Sequence, residues 1–139
     1  MILSKKDIEV RYAETDQMGI VYHANYVIWM EIGRTALIEE LGFRYADMEK
    51  DGILSPVLEI NAQYKKPVKY GEVASVHTWI EEYDGVRVTY GYEIYNGDGD
   101  LSVIGYSKHA CVKKENFRPV SMRKYFPTWH EAYLKAKKA

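Results

Sequence analysis

The sequence predicts an α+β fold, a strongly curved antiparallel sheet wrapped around one long central helix, and three observations carry that expectation. The helical stretch 26–41 opens with Tyr26, Val27, Ile28, Trp29 and Met30, apolar on every side, so it has to be enclosed at its start. Four long strand-like runs follow, joined by turns too short for helical crossovers. The length of 139 residues suits a single domain over 1–139, large enough to need no disulfide or metal staple.

The elements follow in order. A first strand is expected over 7–12, where Ile8, Val10 and Tyr12 alternate with Asp7, Glu9 and Arg11, the period of a half-buried strand. The irregular segment 13–25 carries one glycine, Gly19. Asn25 stands where a helix cap belongs, and Gly42 where a C′ glycine would end the helix. A short helical turn is expected over 44–50. In the second strand Leu58, Ile60, Ala62 and Tyr64 alternate with Glu59, Asn61 and Gln63. A turn around Pro67 leads to the third, with Ala74, Val76 and Ile80 on one face. Val86, Val88, Tyr90, Tyr92 and Ile94 mark the fourth, and Asn96-Gly97-Asp98-Gly99-Asp100 reads as a hairpin. The last long strand, 101–114, is mixed on both faces and reads as central. The four long strands are expected to meander, and 129–138 to form a surface helix.

Composition excludes several classes. A net charge of −1 argues against a dedicated nucleic-acid binder. No apolar run reaches the length of a membrane span, and the N-terminus lacks a signal-peptide core. The single cysteine, Cys111, fits a reducing compartment and a cytoplasmic location. His23, His77, His109 and His130 lack metal-ligand spacing, so neither metal nor cofactor is expected. His77 and His109 read as satisfied sheet histidines, His130 as solvated and Cys111 as packed. Glu31 and Arg34 have the spacing of a helical ion pair, and Glu59 faces solvent by default. The chain holds 13 tyrosines, a residue suited to half-buried sheets and to interfaces.

Chemistry is densest in the loop before the helix, which gathers Tyr12, Asp16, Tyr22, His23 and Asn25 around Gly19. Asp16 could simply close an Asx turn. The loop also leads into a helix N-terminus, whose free N–H groups favour negative charge and can polarise a carbonyl.

The pattern Tyr12-x3-Asp16-x2-Gly19-x3-His23-x-Asn25-Tyr26, followed by Trp29-Met30-Glu31-x2-Arg34, resembles the hotdog-fold acyl-CoA thioesterases. The branch is that of 4-hydroxybenzoyl-CoA thioesterase and the Tol-Pal-associated thioesterases. The resemblance runs through the strand at Glu59–Tyr64 to Arg118-Pro119. It implies hydrolysis of an acyl-CoA, or of an acyl group on acyl carrier protein, to free acid and thiol. Asp16 matches the catalytic carboxylate, as nucleophile or general base. Tyr12 and His23 match auxiliary active-site positions. Gly19, Tyr22 and Ala24 would border the substrate, and first-turn amides would hold the oxyanion. A dehydratase of the same fold and a non-catalytic acyl-thioester binder are the alternatives.

Charge is unevenly spread. Residues 1–107 hold 10 basic and 18 acidic side chains, and residues 108–139 hold 9 and 2. The basic last quarter, with Lys114 and Arg118, either balances an acidic body or docks coenzyme A phosphates. Because such folds expose a sheet edge, a homodimer or homotetramer is expected.

Overall fold

The computed structural model describes residues 1–139. Its elements are β1 (Ser4–Glu9), a 3₁₀ turn (Tyr12–Glu14), α1 (Asn25–Glu40), α2 (Tyr45–Lys50), β2 (Ile53–Leu54), β3 (Val57–Tyr64), β4 (Val73–Tyr83), β5 (Arg87–Tyr95), β6 (Leu101–Ala110), β7 (Val112–Lys113), α3 (Met122–Tyr125) and α4 (Pro127–Ala136). Five strands form an antiparallel sheet in the order β1-β4-β5-β6-β3, and β2 pairs with β7 in a small second sheet. This is the curved sheet around one long helix that the sequence predicts. No helix is long and apolar enough to cross a membrane.

The sheet can enclose α1 because the helix offers it a buried stripe of Tyr26, Trp29, Met30, Gly33, Leu37 and Ile38. Gly33 sets the approach: a Cβ there would collide with Thr78 and Val76 of β4. The helix ends as expected. The Gly42 N–H donates to the Glu39 carbonyl at 3.0 Å and the Phe43 N–H to Ile38 at 3.1 Å, the paired bonds of a Schellman stop.

Four expectations are corrected. β1 lies three residues early, because Tyr12 opens a 3₁₀ turn and stays exposed. β4, β5 and β6 do meander, but β3 pairs with β6 and forms the far edge. The connection from β3 to β4 crosses beneath the loop before α1, burying Val68 and accepting the Val21 N–H at 2.8 Å. Sequence neighbours are therefore not sheet neighbours there. α4 is no surface helix: Trp129, His130, Tyr133 and Ala136 are buried. His130 is accordingly not solvated but bonded to the Tyr83 hydroxyl at 2.6 Å.

Glu31 and Arg34 form no ion pair; Arg34 donates instead to the Tyr92 hydroxyl at 3.2 Å. Glu59 accepts the Tyr106 O–H at 2.6 Å. His109 is a satisfied sheet histidine, bonded to Ser107 at 2.8 Å, whereas His77 packs on Tyr95 without a hydrogen bond. Cys111 is packed, and burial pushes its thiol up to about 11.

Candidate active site

The loop before α1 is held from below by Glu14. Its backbone carbonyl accepts the Tyr22 N–H at 2.8 Å and the Asn25 side-chain amide at 2.9 Å. Its carboxylate accepts the Trp29 indole N–H at 2.8 Å, the Arg11 backbone N–H at 2.8 Å and the Arg11 guanidinium at 3.4 Å. Burial opposes ionisation of Glu14, yet these donors outweigh it and hold the carboxyl below its ordinary value. Asn25 thus does not cap the helix. Ala24 occupies the cap position, and the Asn25 side chain ties the helix start to the 3₁₀ turn.

Asp16 sits above this anchor, half-buried. One of its oxygens accepts the Met18 N–H at 2.8 Å, and its backbone carbonyl accepts the Gly19 N–H at 3.1 Å. The turn needs φ +78° at Gly19, which a residue with a Cβ adopts only under strain. The Asx turn is therefore real, and it leaves the second carboxylate oxygen without a partner in the chain. The backbone N–H groups of His23 and Ala24, both on exposed residues, donate to no acceptor in the chain. A carboxylate with one free oxygen and two free amides at a helix N-terminus thus share a single loop. Such amides stabilise a developing oxyanion.

Aromatic rings surround the loop. The His23 ring lies 4.4 Å from Tyr22 and 6.2 Å from Tyr64, which in turn lies 5.6 Å from Tyr26. The Tyr64 O–H donates to the His23 carbonyl at 3.4 Å. Tyr12 packs edge-on against Tyr70 at 5.6 Å, and its hydroxyl bonds to no group of the chain.

The sequence pattern of the thioesterase-like superfamily matches residues 10–129. The chain belongs to that superfamily. It is 67% identical over 138 residues to YneP of Bacillus subtilis (strain 168), provisionally named an acyl-CoA thioesterase, covering 99% of this chain and 100% of the relative. The structure of a DHNA-CoA thioesterase from Staphylococcus aureus superposes with a TM-score of 0.94 at 50% identity, over 97% of this chain and 91% of that one. A 1,4-dihydroxy-2-naphthoyl-CoA hydrolase of Thermosynechococcus vestitus is 26% identical over 121 residues, 86% of this chain and 83% of that protein. By class this thioesterase-like chain is a thioester hydrolase.

Within one thioesterase-like chain the expected site residues fall into two groups. Asp16, Gly19, Tyr22, His23 and Ala24 are brought together, with Tyr12 at the rim. Lys114 and Arg118 are not with them. They are exposed on the turn after β7, where the Lys114 N–H donates to Gly52 at 2.9 Å, beyond the other end of α1. Sequence reasoning missed Glu14, Tyr64 and Tyr70. Glu14 lies three residues from Arg11, the one local hint of its role. A charged residue is assigned to solvent by default.

Proposed function

We propose that the chain hydrolyses acyl-CoA thioesters with Asp16 as the reacting carboxylate and the His23 and Ala24 amides as the oxyanion site. The observation that carries this reading is the joint presence, in one loop, of a carboxylate oxygen without a partner and two unpaired helix-start amides. The free oxygen of Asp16 either attacks the thioester carbonyl, forming an anhydride that water then opens, or takes a proton from the attacking water. In both routes the carbonyl oxygen becomes an oxyanion facing the two amides, and the thiolate departs. A thiol has a pKa of about 8.5, so its departure demands little general-acid help.

An aromatic acyl group suits the ring-lined loop, and two relatives are named for dihydroxynaphthoyl-CoA hydrolysis. Neither Asp16, Tyr12 nor His23 lines the apolar cavity between α1, the sheet and α4, and in this reading a second copy completes the acyl pocket. β3 offers the edge for it, exposing Val57, Leu58, Ile60 and Tyr64 along an unpaired side. Any contact of Lys114 and Arg118 with coenzyme A at Asp16 then comes from the partner copy.

Asp16→Asn is the decisive test. Turnover of 1,4-dihydroxy-2-naphthoyl-CoA and benzoyl-CoA should fall by at least about 10²-fold, with the melting temperature held. Turnover near that of the wild type would remove Asp16 from the chemistry.

A further inference from the structure

A partly open cavity of the chain lies away from the Asp16 loop, between the second half of α1, the sheet and α4. It measures about 150 Å³ and is lined mainly by apolar side chains, among them Ile38, Val88, Cys111 and Trp129. Arg34 also lines it, half-buried. Arg34 follows Asn25 by nine residues, or about 13 Å of helix.

Three polar groups of the cavity wall, Ser55, His109 and Arg34, are joined by an ordered relay through Ser107 and Tyr92, which lie outside the lining. The Ser55 carbonyl can only accept, so His109 Nδ1, at 3.4 Å from it, carries the ring proton. Burial, and then the charge of Arg34, push His109 down to about 4, leaving its ring neutral near pH 7. Its Nε2 therefore accepts from the Ser107 hydroxyl at 2.8 Å. Ser107 accepts from the Tyr92 O–H at 2.6 Å, and Tyr92 accepts from Arg34 at 3.2 Å. Every neutral donor in the relay is used, and its last member is a cation.

Arg34 has no counter-ion. No carboxylate lies within ion-pair distance, Glu31 at the rim included, and the Tyr92 bond uses one of its five N–H groups. Two further wall residues have donors to spare. Tyr45 accepts from the Ser55 N–H at 2.8 Å and donates its own proton to no group of the chain. Trp129 buries its indole N–H without a well-formed hydrogen bond, its one neighbouring acceptor being the Tyr133 hydroxyl. A half-buried guanidinium and two neutral donors around an apolar hollow call for an acceptor-only anion. A cavity of this volume takes a body the size of benzene.

We propose that this cavity is a second binding site, for a small organic carboxylate of about benzoate size, with Arg34 holding the carboxylate and the apolar wall holding the ring. Asp16 of the same chain does not line the site, and the site needs no thioester.

The experiment titrates sodium benzoate into the full-length chain and follows the Trp129 indole N–H resonance, assigned with Trp129→Phe. Benzyl alcohol serves as the uncharged twin. Benzoate should move the resonance saturably and bind more tightly than benzyl alcohol. Arg34→Met should lose about 10-fold or more of the benzoate affinity and none of the benzyl alcohol affinity; Arg34→Lys should fall between. Asp16→Asn should bind benzoate as the wild type does, whatever its hydrolytic activity. Four results would each overturn the proposal: no saturable shift, equal affinity for the two probes, full affinity in Arg34→Met, or loss of binding in Asp16→Asn. Should Arg34→Met not fold, the contrast between the two probes on the wild type decides alone.

Discussion

The two ends of α1 meet opposite physical demands. At its start the chain leaves polar groups unpaired on the surface: one oxygen of Asp16, the amides of His23 and Ala24, and the Tyr12 hydroxyl. Toward its end most polar groups are paired and buried, in the relay through Tyr92, Ser107 and His109 and in the Tyr90–Tyr133 and Tyr83–His130 bonds. Unpaired groups are cheap in water and costly in a core. The end proposed to react therefore lies at the surface, over a rigid base, and the buried end carries stability. Glu14 is that base, the one buried charge beneath the loop.

The largest effect that tests this contrast should come from Glu14→Ala. The change strands the buried Trp29 indole N–H and frees both the Arg11 turn and the loop carrying Asp16. A loss of about 3 kcal/mol in stability is expected, seen as a shift of the urea midpoint. Turnover should fall as well, because the His23 and Ala24 amides lose their fixed position. Glu14→Gln keeps an acceptor for Trp29 and should recover much of the stability. If Glu14→Ala lowers stability but leaves kcat untouched, the loop does not depend on its base, and the contrast fails.

A pH scan separates the two ends. His109 is held near 4 in the fold, by burial first and then by Arg34, against about 6.5 unfolded. Between these values the unfolded chain binds the extra proton, so stability falls as pH drops from about 6.5 toward 4. The full span amounts to about 3 kcal/mol. Half-buried His77 is also lowered, by desolvation and by Lys5, and adds a slope of the same sign. Glu14 lies below its ordinary value. Its contribution is present above the unfolded carboxylate pKa and is lost only as pH falls through the folded one. From pH 6.5 to about 4.5 the buried end therefore weakens while the base of the loop does not. Urea unfolding of the wild type and of His109→Gln over this range should differ in slope, the variant being flatter. Parallel slopes would remove His109 as their source.

How much of this was legible in the sequence follows from how local each signal is. The strands β4 and β5, the helix and its Gly42 stop rest on periodicity and turn residues within a few positions, and they stand as expected. The strand expected over 101–114 instead breaks at Cys111, β6 staying in the large sheet and β7 pairing with β2. The position of β3 rests on which edge the chain returns to, a choice made by burial of Val68 and not by any motif. α4 was misread because His130 and Tyr133 meet partners more than 40 residues away, in β4 and β5, and Trp129 stacks on Phe43. In the loop, Asp16, His23 and Gly19 were visible because chemistry and turn geometry both restrict residue type. The roles of Glu14 and Asn25 were hidden, since each is defined by a partner 11 to 15 residues distant.

The smallest effect concerns Tyr64, where ring and hydroxyl can be told apart. Its O–H reaches the exposed His23 carbonyl at 3.4 Å, a long bond open to water and worth about 0.5 kcal/mol or less. Its ring stands between His23 and Tyr26, and so between the surface loop and the buried stripe of α1. Tyr64→Phe keeps the ring and should change kcat by no more than about twofold. Tyr64→Ala removes the contact and should raise KM for aromatic acyl-CoA more than for acetyl-CoA, because only the former uses an aromatic wall. Equal losses for the two substrates would mean that the ring supports the loop without meeting the acyl group. The aromatic shell would then belong to the buried end's architecture, extended outward, and the boundary between the two ends would lie at His23 instead of at Tyr26.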